Sequence, residues 1–167
     1  FSLARNPQDA VGTRWVLVAV LVAMGLTIFH AKDRLGHGLW HDEGKGVRNF
    51  VVGRYDESKS SGEIRYRAVT WEESIWNYRF PNHTFFGILA RIAHTAMPPA
   101  TDRPDRFFLN ESAIRLPSLL GALGGLAATA WLLVLLGLKR AALLTPLLLS
   151  IHPWFLRYAA EARGYSL

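Results

Sequence analysis

Residues 116–138 read LPSLLGALGGLAATAWLLVLLGL, 23 consecutive positions without a charged side chain. As a helix this stretch is roughly 35 Å long, enough to cross the hydrocarbon core of a bilayer. A helix in a soluble core seldom stays uncharged on every side for that length. Working outward, two further apolar blocks appear, at 15–29 and 141–156, with the charges gathered between the blocks. The pattern predicts an all-α, polytopic membrane helical bundle with spans at about 14–31, 116–138 and 141–156 and an outer loop at about 32–114. A signal peptide is the rival reading of the first block, but Phe29, His30 and Lys32 leave no small-residue cleavage site.

Pro117 is expected in the first turn of the second span, where proline is tolerated. Gly121, Gly124, Gly125 and Ala128 form a small-residue face of the kind that lets helices approach closely in lipid. Pro146 and Pro153 fall in the third block, where neighbouring helices can repair the lost bonding. Lys139 and Arg140 alone separate blocks two and three, so these read as a tight helical hairpin. The Lys139–Arg140 turn and the flank holding Arg5 and Arg14 are expected on the cytoplasmic side. The long loop and the tail from Arg157 are then outside.

Composition narrows the function classes. The 167-residue chain has 50% hydrophobic residues and no cysteine, which removes thiol catalysis, disulfides and zinc–thiolate sites. The net charge of +6 is dispersed among carboxylates rather than gathered in a basic run, so nucleic acid is excluded as the expected partner.

The outer loop carries local signals. Val47, Phe50, Val51 and Tyr55 recur at helical spacing after the acidic pair Asp42–Glu43. Residues 56–62 read as a polar turn. Thr70 and Glu73 form a capping box opening a short helix through Trp76. Asn82 is placed to cap a further, interface-lying helix with Phe85, Phe86, Leu89, Ala93 and Ala96 on one face, stopped by Pro98 and Pro99.

Three polar clusters should face the outer side: Trp40-His41-Asp42-Glu43, Pro81-Asn82-His83, and Glu161-Ala162-Arg163-Gly164-Tyr165. Their convergence is suited to moving a sugar from a lipid phosphate to a hydroxyl. That reaction needs a general base at the acceptor oxygen, which an aspartate can supply, and cationic partners for the departing phosphate, such as Arg163 and His83. Each residue also has a plainer reading. Asp42 and Glu43 can simply charge a helix N-terminus. His83 can be a turn residue, and Glu161 and Arg163 can be ordinary interfacial charges. Arg115 is expected as a headgroup anchor. His41, Asp42 and Glu43 are too close in sequence to wrap one metal ion. Asn82-His83-Thr84 and Asn110-Glu111-Ser112 match glycosylation acceptor triplets, a pattern common by chance.

Four stretches taken in order resemble the GT-C membrane glycosyltransferases, which include dolichyl-phosphate-mannose protein mannosyltransferases and bacterial aminoarabinose and lipopolysaccharide-core sugar transferases. They are Trp40-His41-Asp42-Glu43, Pro81-Asn82-His83-Thr84-Phe85-Phe86, the run from Glu111 to Gly121, and Ser150-Ile151-His152-Pro153 followed by Tyr158 to Tyr165. The resemblance covers nearly the whole chain and implies the N-terminal portion, residues 1–167, of such a transferase. It implies an inverting transfer from a polyprenyl-phosphate sugar to a lipid, glycan or protein acceptor at the periplasmic face of a bacterial inner membrane. It implies Asp42 as catalytic base supported by Glu43, with Asn82, His83, Glu161, Arg163 and Tyr165 lining the substrate cavity. No cofactor is implied beyond a possible divalent metal. Thr84 and Phe85 depart from the family's pattern, and Asn82 and His83 replace an acid and a lysine found in some members. The chain lacks the further spans and outer domain of the family, so by itself it is expected to be inactive. The rival classes are a transporter or flippase and a structural assembly subunit.

Overall fold

A computed structural model describes residues 12–57, 62–76, 83–98 and 109–163. Among these the chain forms α1 (Thr13–Leu35), α2 (His41–Phe50), β1 (Gly53–Glu57), β2 (Ile64–Ala68), α3 (Trp71–Trp76), α4 (Thr84–Ala96), α5 (Glu111–Leu135), α6 (Lys139–Ile151) and α7 (Pro153–Ala159).

Two helices, α1 and α5, are long and apolar enough to cross a membrane. Only 33% and 28% of their most apolar windows are buried inside the protein, so most of the apolar surface points outward. Leu17, Leu21, Phe29, Leu120, Trp131 and Leu135 are all more than half exposed. A core helix of a soluble domain would bury that surface, because each exposed side chain forfeits the free energy of leaving water.

The expected third span at 141–156 takes a different form. Here α6 has 13 residues, about 20 Å of helix. The chain is extended at His152 before Pro153 opens α7 at the first helical position. A residue before proline is disfavoured in the helical region, and Pro153 has no N–H to continue the ladder. Pro146, by contrast, is accommodated inside α6.

The other spans also shift. The first extends beyond residue 31 to Leu35, where Lys32 and Arg34 complement the helix C-terminus. The second starts at Glu111, because the Asn110 side chain accepts from the Ala113 N–H at 3.0 Å and caps it. Pro117 therefore lies beyond the first turn, inside the helix. Asn110 also donates to the Met97 carbonyl at 3.0 Å, tying the end of α4 to the start of α5.

Helices α1, α5 and α6 pack together. Their contact is made by small and branched residues, with Val16, Val20, Ala130 and Ala142 in one cluster; a second joins Ala31 of α1 and Leu119 of α5 to Ala160, just after α7. The expected glycine face is elsewhere: Gly124 and Gly125 are exposed, and an added Cβ on either meets nothing within 4 Å. Buried alanines, not glycines, set the close approach.

The outer segment is not wholly helical, which corrects the all-α expectation. β1 and β2 pair antiparallel with Tyr55 opposite Tyr66, their rings edge to face at 5.5 Å. Tyr55 thus belongs to a strand rather than to the face of α2, which runs from His41 and ends at Phe50. Of the polar turn expected at 56–62, Asp56 and Glu57 belong to β1 and residues 58–61 lie outside the described residues. The capping box forms as read: Thr70 N–H donates to Glu73 at 2.9 Å and Glu73 N–H to the Thr70 hydroxyl at 3.1 Å. The Thr70 backbone N–H is the main cause holding the Glu73 carboxyl below the usual glutamate range, with Arg67 adding to it. Arg91 of α4 clamps the unit by donating to the Thr70 carbonyl and the Ser74 hydroxyl, each at 2.8 Å. Its guanidinium lies over the Trp71 ring at 4.3 Å.

Gly53 opens the hairpin at φ +146°, and a Cβ there would meet backbone atoms of the partner strand, Ala68 Cα at 2.8 Å among them. Gly53→Ala is expected to destabilise the hairpin by about 1–3 kcal/mol. Amide exchange of the Tyr55 and Tyr66 N–H groups should accelerate accordingly; unchanged protection would contradict the strain.

Candidate functional site at one end of the bundle

The site is built where α1 ends. The last carbonyls of a helix have no partner within it. Here Arg115, near the start of α5, supplies one. Its Nη1 donates to the carbonyls of Arg34 at 2.7 Å, Leu35 at 3.1 Å and His37 at 2.5 Å. Its Nη2 donates to the Gly38 carbonyl at 3.2 Å and to Glu43 Oε2 at 2.9 Å. The planar fork of arginine makes this distribution possible, and the cation also suits the negative end of α1.

Glu43 is the second joint. It stands three residues after Trp40, so it accepts from the Trp40 N–H at 2.9 Å and closes the first turn of α2. Its Oε1 accepts the Ala162 N–H. The carboxylate is fully enclosed, with side-chain exposures of 3% for Arg115 and 1% for Glu43. One buried ion pair thus fastens the end of α1, the start of α2, α5 and the segment after α7.

The neighbouring Asp42 points the other way. Its side chain is 66% exposed and accepts from Arg163 at 3.1 Å. Ser118 holds the Arg163 carbonyl at 2.8 Å, fixing that segment against α5. Glu161 is nearly enclosed and accepts from Arg157 at 2.6 Å, one helical turn earlier. That bond is the largest cause raising the Arg157 pKa above the usual guanidinium value, with the Glu161 charge next. The Arg157 guanidinium sits 5.3 Å from the ring centres of both Trp40 and Trp154.

Between these groups lies a cleft of about 500 Å³, lined by Arg34, His37, Trp40, Arg157 and Glu161 over a floor of Arg115 and Glu43. The structure therefore brings Glu43 and Glu161 into one cleft, while Asp42 and Arg163, from the same two segments more than a hundred residues apart, pair with each other outside its lining. His83 is not brought to the cleft. It is the exposed residue at the N-cap position of α4, which packs on α5 and α2 through Phe86 and Ala90. Asn82 and Tyr165 lie outside the described residues, as do Pro81 and Gly164. Among the described residues no group of three or more His, Asp or Glu side chains is arranged to hold a metal ion.

Sequence reasoning missed Arg115, Arg157 and the Arg34–His37 wall. Arg115 is no headgroup anchor: it is 2% exposed. Its position near the start of a span suits a headgroup anchor equally well, so its burial carried no local signal. No protein-family model, curated protein or solved structure matches this chain.

Proposed function

We propose that this chain forms the donor-side end of a multi-pass membrane glycosyltransferase, with three membrane-crossing segments and the cleft on the outer face. The observation that carries the reading is the gathering of Arg34, Arg115, Arg157, Glu43 and Glu161 around one cleft where two membrane-length helices meet, with the exposed Asp42 carboxylate on the residue next to Glu43. A polyprenyl phosphate needs its tail in lipid and its headgroup in such a cleft. In the proposed reaction an acceptor hydroxyl attacks the anomeric carbon from the face opposite the phosphate. The new carbon–oxygen bond forms as the bond to the phosphate oxygen breaks, and Asp42 takes the hydroxyl proton. The phosphate leaves as an anion toward Arg34 and Arg157, with Arg163 holding Asp42 in place. Glu43 acts as a positioning residue, since its oxygens are occupied by Trp40, Arg115 and Ala162.

The transporter reading has less support. Transporters keep ionisable groups near the membrane midplane, and here the charged side chains of α1 and α5 sit toward their ends. An assembly subunit has no need to gather two carboxylates and three arginines around one cleft.

The test is a transfer assay with the full-length protein in proteoliposomes, supplied with polyprenyl-phosphate hexoses and pentoses. The expected result is release of free polyprenyl phosphate with formation of a product of inverted anomeric configuration. Absence of sugar transfer from every such donor, to lipid, glycan and peptide acceptors alike, would overturn the proposal.

A further inference from the structure

Two buried polar atoms in the site have no hydrogen-bond partner: Arg115 Nε and Glu161 Oε2. Both side chains belong to the wall of the same cleft. The rest of each group is fully committed. Arg115 spends its Nη atoms on four carbonyls and Glu43, and Glu161 spends Oε1 on Arg157. Buried polar groups are nearly always paired, so an orphaned pair in one cavity needs an explanation.

The two orphans are opposite in kind. The Nε–H is a donor and the carboxylate oxygen an acceptor. A phosphate or carboxylate oxygen satisfies only the first, and an ammonium only the second. A hydroxyl satisfies both, accepting from Nε–H while donating to Oε2. A water molecule has the same capability, but the cleft of about 500 Å³ is more than ten times the volume of one water and within the range of ligand pockets. Its wall includes Trp40, which is 64% exposed; the Arg157 guanidinium lies over one face of the ring, and the other face is a flat apolar surface of the kind that packs against the C–H face of a sugar ring.

We propose that this cleft is the sugar subsite: a pyranose or furanose ring packs against Trp40, and one of its hydroxyls bridges Arg115 and Glu161. The inference rests on the glycosyl-transfer reading and adds which residues select the sugar. Glu161 is thereby a specificity-determining residue, while Arg157 holds it in place.

The experiment uses the full-length protein in nanodiscs and reads tryptophan fluorescence during lipid titration. The probes are polyprenyl-phosphate hexoses and pentoses, the sugar-free polyprenyl phosphate, and a deoxy series of the tightest-binding sugar, each lacking one hydroxyl. In the unaltered protein, removal of one particular hydroxyl is expected to weaken binding about tenfold or more, whereas removal of the others has little effect. Glu161→Gln, which keeps an oxygen for Arg157, should weaken the sugar-bearing lipid by a similar factor and leave the sugar-free lipid unchanged. In that variant the sensitive deoxy analogue should bind like its parent. A flat deoxy series means that the orphaned atoms hold water only and overturns the subsite. Equal affinity for sugar-bearing and sugar-free lipid also overturns it while leaving lipid-phosphate binding intact. Binding of neither lipid overturns the subsite together with the transferase reading. The deoxy series on the unaltered protein decides the matter even if Glu161→Gln fails to fold.

Discussion

Arg115→Met is expected to destabilise the folded protein by about 3–5 kcal/mol, because it strands the buried Glu43 carboxylate without its cation. The same change removes the donor to the Arg34 and Leu35 carbonyls at the end of α1 and to those of His37 and Gly38 just beyond it, where unmet acceptors are costly. Arg115→Lys should rescue only part of the loss. A lysine keeps the charge but cannot spread donors in a plane across Glu43 and four carbonyls. Adding Glu43→Gln to Arg115→Met should recover part of the loss by removing the buried charge, although the single amide oxygen can accept from only one of the Trp40 and Ala162 N–H groups, which bond to different carboxylate oxygens in the unaltered protein. The measurement is a set of unfolding curves in detergent for the two single variants and the double variant. A single variant within about 0.5 kcal/mol of the unaltered protein, the scatter expected of ordinary surface changes, would show that the pair does not fasten the site.

How much of this was legible beforehand depends on whether the signal was local. The apolar runs of α1 and α5 and the Thr70–Glu73 box are local, and they emerge with modest shifts of boundary. The hairpin was missed because its strands carry no alternation of apolar and polar residues: Arg65, Tyr66 and Arg67 are all exposed. The segments that flank it are fastened instead by Ser74, which donates to the Phe50 carbonyl, and by Arg91, which donates to Ser74, across 24 and 17 residues. The break at His152 was signalled by Pro153, yet an apolar run that continues across a proline reads equally well as a kinked span. In the site, the meeting of Asp42 with Arg163 and of Glu43 with Ala162 matches the expectation that the acidic clusters share one end of the helices. The division of labour between the adjacent acids was not legible. Only the burial of Glu43 and the exposure of Asp42 separate a fastening from a solvent-facing carboxylate.

That separation makes Asp42→Asn the sharpest probe of the proposed chemistry. Asparagine nearly matches aspartate in shape and can still accept a hydrogen bond from Arg163, so the loop should keep its place. It cannot take a proton from an attacking hydroxyl. The expected result in the full-length protein is a fall in kcat of about 10²–10⁴-fold, the usual worth of a general base. KM for the lipid-linked sugar should change little, because a group that acts only as the proton moves contributes to the transition state and not to ground-state binding. Asp42→Glu retains a base but displaces it by a methylene, so it should fall between the two. Glu43→Gln should behave differently: a shift in unfolding, with any loss of turnover following the loss of folded protein. Single-turnover transfer of a labelled sugar, with membrane insertion checked alongside, distinguishes the cases. Near-normal turnover in Asp42→Asn would remove Asp42 as the base, and the exposed carboxylate would then be no more than the partner that orders Arg163.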